Sequence, residues 1–129
     1  MSGYVLDASA LLALLRDEPG AAAVTDIIDG ALMSTVNIAE VAQVQSQHGV
    51  PAETSRIIFD SLPIIATPPS RDIAIAAGAM ETMTRRKGLS LGDRFCLALA
   101  QDQGAIAMTA DRAWTEIAAD VDVEVQLIR

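Results

Sequence analysis

The chain has 129 residues, a length typical of one domain with a single hydrophobic core. Hydrophobic residues make up 51% of it and aromatic residues 3%, so the core must be built from Ala, Val, Ile and Leu, and a disordered chain is excluded. A net charge of −8 excludes a protein that holds nucleic acid with a broad basic surface. Any nucleic acid substrate would have to be bound through cations.

The sequence favours a soluble protein of a reducing compartment. Cys96 is the single cysteine, so it has no partner for an internal disulfide, and we expect it to be buried rather than catalytic. The apolar run over residues 8–15 is too short to span a bilayer and lacks the basic leader of a signal peptide. We therefore expect a cytoplasmic protein with no membrane partner.

The first half of the chain alternates short apolar strands with helices. Its elements are predicted, in order, as strand 4–6, helix 8–15, helix 20–30, strand 31–34, helix 35–48, helix 51–60 and strand 62–66. The periodicity of helix 51–60 predicts that Ile57 and Ile58 are buried.

The second half continues the alternation and contains the strongest positive cluster. Its elements are predicted as helix 71–87, helix 90–100, strand 105–108, a short helix from residue 112 and strand 123–127. The basic cluster Arg85, Arg86 and Lys87 fits either a helix C-terminus or a contact to phosphate. Strands joined by helices predict one domain over residues 1–129. Its fold would be a three-layer α/β/α sandwich around a mainly parallel sheet of about five strands.

Four acidic residues follow predicted strands or open predicted helices. Asp7 and Asp111 come directly after strands, and Glu40 and Asp93 lie in first turns of helices, with Gly92 allowing close approach beside Asp93. Ligands bind beyond the carboxyl ends of strands in open parallel sheets, so all four acids could meet in one crevice. Taken singly, Glu40 and Asp93 also fit helix capping boxes, each three residues after a capping residue.

The chemistry of such a crevice indicates a cation. Two carboxylates about 4 Å apart repel by roughly 4 kcal/mol at an effective dielectric of 20, so a cluster of four needs protons or a metal. Oxygen ligands without a Cys or His cluster favour Mg²⁺ or Mn²⁺ over zinc, and such a metal can bind phosphate and activate water. Ser9 and Thr109 could orient metal-bound water or serve as turn and cap residues.

Four segments of the chain resemble the motifs of PIN-domain ribonucleases, specifically of VapC-type toxins of toxin–antitoxin modules. They are VLDASALL at 5–12, VNIAEV at 36–41, GLSLGDR at 88–94 and TADRAW at 109–114. Their order and spacing extend over nearly the whole chain, and the acidic positions show no departure from the family pattern.

The resemblance implies an α/β/α sandwich, Mg²⁺- or Mn²⁺-dependent endoribonuclease activity, a homodimer and inhibition by a cognate antitoxin protein. By that likeness the catalytic and metal-binding residues are Asp7, Glu40, Asp93 and Asp111. Our hypothesis is an in-line attack of activated water on an RNA phosphodiester. Arg94 and Arg112 are candidate phosphate contacts, with ion pairing to neighbouring acids as the alternative.

Two other functions remain open at this point. An aspartate-dependent phosphatase would use Asp7 as its nucleophile, but phosphatases of the haloacid-dehalogenase type have a second Asp where this chain has Ser9. A non-catalytic PIN-like module would bind RNA or a protein partner without cutting RNA.

Overall fold

Five strands form one sheet in the computed structural model, which describes residues 3–129. They are β1 (Tyr4–Leu6), β2 (Leu32–Ser34), β3 (Ile65–Thr67), β4 (Ile106–Thr109) and β5 (Glu124–Leu127). The order is β3-β2-β1-β4-β5 and every neighbouring pair is parallel, which confirms the predicted sheet. β3 starts later than predicted because the preceding helix continues to Ser61 and caps at Leu62.

Helices occupy both faces of the sheet. They are α1 (Ala8–Leu15), α2 (Ala21–Ile27), α3 (Thr35–Gln47), α4 (Ala52–Ser61), α5 (Arg71–Ala79), α6 (Glu81–Thr84) and α7 (Leu91–Gln103). Short 3-10 helices follow at Arg85–Lys87 and Arg112–Glu116. Within residues 3–129, no helix is long and apolar enough to cross a lipid bilayer.

The two faces of the sheet carry separate hydrophobic clusters because strand side chains alternate between them. On one face Val5 packs with Leu97 of α7, and on the other Leu6 and Met108 pack with Leu11 of α1. Each cluster is covered by its own helices, so the sheet is buried on both sides as parallel sheets usually are. The predicted α/β/α arrangement is confirmed.

The prediction of one helix over residues 71–87 is wrong. α5 ends at Ala79, α6 makes a single turn, and the 3-10 helix after it closes at Gly88, whose φ is 68°. Two carbonyls at the end of α5 are satisfied from another helix, because Arg94 donates to Ala77 O at 3.2 Å and Gly78 O at 3.4 Å. Those carbonyls therefore do not need a further helical turn.

Burial of single side chains agrees with the sequence except on α4. Cys96 and Trp114 are fully buried, as predicted. The sequence predicts burial of Ile57 and Ile58, whereas Ile57 is 61% exposed and Ile58 is half-buried. The inward face of α4 is set by Ser55, whose hydroxyl donates to Gln45 Oε1 of α3 at 2.7 Å, and this orientation turns residue 57 towards solvent.

The strand order reverses at the centre of the sheet. β1 lies between β2 and β4, and the chain passes first to β2 and β3 on one side and later to β4 and β5 on the other. The carboxyl ends of β1 and β4 lie side by side, joined by a hydrogen bond from Asp7 N to Met108 O of 2.9 Å. Such a reversal leaves a crevice in which open α/β sheets bind their ligands.

Candidate metal centre

Asp7 lies at the carboxyl end of β1 with only 4% of its surface exposed. Its Oδ2 accepts hydrogen bonds from Ser9 Oγ at 2.7 Å and Thr109 Oγ1 at 2.9 Å. Burial is the main cause that raises the pKa of Asp7 to about 6, and the charges of Asp93 and Glu40 add to it. The two hydroxyls oppose this shift without cancelling it.

The same hydroxyls fix the turn that carries Asp111. Ser9 Oγ accepts from Ala110 N at 3.0 Å, and Thr109 Oγ1 accepts from Asp111 N at 3.1 Å. The two hydroxyl oxygens are 3.3 Å apart. Ser9 and Thr109 therefore tie the carboxylate of Asp7 to the turn after β4, rather than standing free beside it.

Glu40 projects from the second turn of α3. The alternative considered from the sequence, a capping box of Asn37 and Glu40, is not formed, because the helix begins earlier and Ser34 caps it by accepting from Val36 N at 3.2 Å. Asn37 lies inside the helix and donates from Nδ2 to Glu40 Oε1 at 2.7 Å. Burial raises the pKa of Glu40, with a smaller contribution from Asp93, while the Asn37 amide lowers it.

Asp93 occupies the first turn of α7, where the predicted capping box with Ser90 is confirmed. Ser90 N donates to Asp93 Oδ2 at 2.9 Å, and Asp93 N donates to Ser90 Oγ at 3.1 Å. Burial nevertheless raises the pKa of Asp93, and the charge of Asp111 contributes in the same direction. Asp93 is thus a helix cap and a member of the acidic group at once.

Asp111 follows β4 and is exposed to solvent. Its Oδ1 accepts from Ala113 N at 3.0 Å and caps the short 3-10 helix that comes next. Of the four acids, Asp111 has the most open position, while Asp7 has the most enclosed one.

Electrostatic coupling shows that the four acids share one region. The charges of Asp93 and Glu40 act on Asp7, Asp93 acts on Glu40, and Asp111 acts on Asp93. Below them the fully buried thiol of Cys96 has a pKa well above its usual value, because of burial and the charges of Asp7, Asp93 and Glu40. These acids come from four distant stretches of the sequence and lie near the reversal of strand order.

The acidic group fits a hard divalent cation. Each of the four acids has one carboxylate oxygen that accepts no hydrogen bond within residues 3–129. These oxygens are Asp7 Oδ1, Glu40 Oε2, Asp93 Oδ1 and Asp111 Oδ2. In that same part of the chain, no group of three or more acidic, His or Cys side chains lies close enough together to hold a metal ion as the side chains stand. The donors are all oxygen and their charges repel, which are the properties of a Mg²⁺ or Mn²⁺ site.

The two candidate arginines have different surroundings. Arg94 donates to the carbonyls of Ala77 and Gly78 in α5, and its Nε donates to Ser90 O at 3.4 Å. Arg112 is exposed beside the acidic group. Within the described residues neither guanidinium forms a salt bridge, so the ion pairing considered from the sequence is not found there.

The basic cluster at residues 85–87 is neutralised by acids. The pairs are Arg85–Glu81 at 3.3 Å, Arg86–Asp120 at 3.5 Å and Lys87–Glu116 at 2.7 Å. All three lie on the surface, where such pairs contribute little to stability. Each basic side chain is already paired with an acid, which disfavours the phosphate contact that the sequence left open.

Sequence reasoning missed Asn37 as part of this region. Its side chain is fully buried, and besides Glu40 it donates to Gly92 O at 3.0 Å. The sequence indicated a close approach at Gly92, because this glycine directly precedes Asp93. The spacing of Asn37 and Glu40 suggested a capping box, but nothing in the sequence marked the contact of Asn37 with Gly92, which lies 55 positions away.

The structure is an α/β protein with a parallel sheet, and acidic side chains lie near the point where its strand order reverses. The model of the PIN domain family matches residues 4–120. The chain belongs to the PIN domain family.

Solved structures share this fold at low sequence identity. A chain of a toxin–antitoxin complex from Klebsiella pneumoniae is 19% identical, with a TM-score of 0.78 over 98% of this chain and 98% of that one. A chain of DNA-bound VapBC from Salmonella typhimurium is 13% identical, with a TM-score of 0.76 over 100% of both. For VapBC2 from Rickettsia felis, bound to a promoter DNA fragment, the identity is 16% and the TM-score 0.67 over 96% of this chain and 97% of that one. Among curated protein sequences none matches.

Proposed function

We propose that this PIN-domain protein is a VapC-type toxin, an endoribonuclease that hydrolyses RNA phosphodiester bonds with Mg²⁺ or Mn²⁺. The observation that carries the proposal is that four acids lie near the switch point, each with one oxygen that accepts no hydrogen bond within the described residues. Membership of the PIN domain family supports a nuclease. The toxin–antitoxin complexes among the similar structures support a toxin.

Each acid has a separate part in the proposal. Asp7 and Asp93 bind the cation directly, Glu40 completes the site from α3, and Asp111 borders its open side. When bound, the cation supplies positive charge at the phosphate and lowers the pKa of a water molecule. Ser9 and Thr109 hold Asp7 with its second oxygen towards the crevice, because both of their hydrogen bonds go to Oδ2.

The charge of the whole chain explains why a cation is central to binding RNA. At a net charge of −8, the protein repels a polyanion except where positive charge is supplied locally. Arg112 is exposed next to Asp111 and is our candidate for a direct phosphate contact. Arg94 is engaged with α5, so we assign it to the support of α7.

The partners follow from the same proposal. We propose that a cognate antitoxin protein covers the acidic crevice, that the toxin forms a homodimer and that it acts in the cytoplasm. The similar structures that were solved as toxin–antitoxin complexes support the antitoxin partner.

RNA cleavage by the purified protein tests the proposal. Wild-type protein should cut single-stranded RNA with Mg²⁺ or Mn²⁺ and stop when EDTA is added. Asp93→Asn should lower cleavage by roughly 100-fold or more, since it removes a carboxylate that binds the cation on which the reaction depends. Asp60→Asn, at an exposed acid of α4, is the matched control and should cut like the wild type.

Other outcomes identify the competing functions. RNA binding in Mn²⁺ without any cleavage would indicate a binding module. Turnover of a small phosphate ester without RNA cleavage would indicate a phosphatase.

A further inference from the structure

We infer that Asn37 and Gly92 are positioning residues that hold the carboxylate of Glu40 at the metal centre. Together they form what we call the Glu40 socket, at the place where α3 meets the first turn of α7. The inference rests on the proposed function, in which Glu40 helps to hold the cation.

The amide of Asn37 is fixed in one orientation. Its side chain is 0% exposed, and Nδ2 donates to two oxygens, Glu40 Oε1 at 2.7 Å and Gly92 O at 3.0 Å. A flipped amide would place Oδ1 against both acceptors, so only the observed orientation satisfies them. Asn37 therefore joins the Glu40 carboxylate to the backbone directly before Asp93.

The oxygen of the same amide indicates that Asn37 does more than stabilise the fold. Asn37 Oδ1 is buried and has no hydrogen-bond partner within the described residues. A buried acceptor without a partner costs folding free energy, which a leucine of similar size would avoid. An asparagine at this position is therefore less favourable for packing than an apolar residue. Its hydrogen bond to Glu40 explains why an asparagine is present.

Gly92 provides the space for the carboxylate. A Cβ at this position would lie 2.5 Å from Glu40 Cδ and 2.7 Å from Glu40 Oε1, closer than real contacts allow. The backbone does not require glycine there, because Gly92 is not among the glycines with positive φ. Glycine in a helix is unfavourable relative to alanine, so the approach of Glu40 is the reason that remains.

The two residues together set where Glu40 stands relative to Asp93. Asn37 holds one carboxylate oxygen, and Gly92 lets the carboxylate rest against the turn that carries Asp93. Residues that orient a metal ligand in this way typically change metal affinity about 10- to 100-fold when they are replaced.

Mn²⁺ titration calorimetry together with thermal unfolding tests the socket. Gly92→Ala and Asn37→Leu should each weaken Mn²⁺ binding about 10- to 100-fold. The midpoint of unfolding of Gly92→Ala should stay equal or rise, because the flexible end of Glu40 can swing away and alanine favours the helix. If Gly92 had only a structural role, its replacement would not weaken Mn²⁺ binding while leaving the unfolding midpoint equal or higher.

A double variant shows whether Gly92 acts through Glu40. Glu40→Gln combined with Gly92→Ala should bind Mn²⁺ no more weakly than Glu40→Gln alone, because the added Cβ has no further ligand to displace. Ser55→Ala is the matched control: it removes a buried hydrogen bond to Gln45, in a later turn of α3 than Glu40. It should lower the unfolding midpoint and leave Mn²⁺ affinity unchanged.

The outcomes separate this inference from the proposed function. Wild-type affinity in Gly92→Ala, beside a clear loss in Glu40→Gln, overturns the socket and leaves the nuclease proposal standing. Absence of Mn²⁺ binding in the wild type overturns the proposed function and the socket with it. Should Asn37→Leu fail to fold, Gly92→Ala and the double variant decide the question alone.

Discussion

Among the four acids, Asp7 is the carboxylate whose ionisation is most strongly disfavoured in the folded protein. It is almost fully buried, it lies near two other acids, and only two hydroxyls compensate its charge. Its pKa of about 6 stands well above the ordinary value of 3.8. A bound cation would remove this cost, so the same residue that weakens the metal-free protein would strengthen the metal-bound one.

The pH dependence of stability should report this cost. The folded pKa of Asp7 exceeds the unfolded one, so the folded state keeps the proton to higher pH. The penalty is absent below about pH 4, grows through pH 6 and then stays constant, reaching about 3 kcal/mol for a shift of this size. We expect Asp7→Asn to gain stability relative to wild type between pH 4.5 and pH 7.5 in urea unfolding with EDTA.

Saturating Mn²⁺ gives the control for that experiment, because it should raise the stability of wild type at pH 7.5 and leave Asp7→Asn nearly unchanged. Equal pH profiles for the two proteins would show that the burial of Asp7 carries no such cost.

At the residue scale, the candidate acids are easier to identify from the sequence than the residues that contact and orient them. Asp7 and Asp111 were predicted because strand ends are visible as apolar runs, and Asp93 because a capping serine precedes it. The contacts of Asn37 and Arg94 could not be predicted in the same way. Each depends on a backbone carbonyl of a different helix, and no local pattern encodes which helix that is.

Arg94 connects two elements of the fold. It is part of α7, and its guanidinium binds the carbonyls at the end of α5. The sequence predicted one long helix here because the buried positions keep a helical spacing, and Ile73, Ala77 and Met80 are indeed buried. The break after Ala79 lies beside this contact between helices, which periodicity does not report.

The pair Arg94 and Arg112 offers a matched test at the element scale. Arg94→Ala should lower the free energy of unfolding by about 1–3 kcal/mol, the loss expected for hydrogen bonds from a charged group, with little change in KM for RNA. Arg112→Ala should leave stability within about 0.5 kcal/mol and raise KM, because the residue is exposed at the site. Urea unfolding and initial cleavage rates measure both quantities.

The reverse pattern would contradict these assignments. Unchanged stability with a raised KM in Arg94→Ala would make Arg94 the phosphate contact that the sequence allowed.

At the scale of the molecule, topology creates the site. The order β3-β2-β1-β4-β5 brings the ends of β1 and β4 together, and α3 and α7 deliver the remaining acids to the same edge. The alternation of strands and helices predicted a parallel sheet with two helical layers. The order of its strands was not predicted, because it depends on which strands pair across long stretches of chain.

The position of bound Mn²⁺ in a crystal, located by anomalous diffraction, is the most direct test of the account. We predict a metal peak about 2.0–2.4 Å from carboxylate oxygens of Asp7 and Asp93, with Glu40 and Asp111 bordering it. A peak elsewhere on the protein, or none at saturating Mn²⁺, would contradict the claim that these acids form one metal centre.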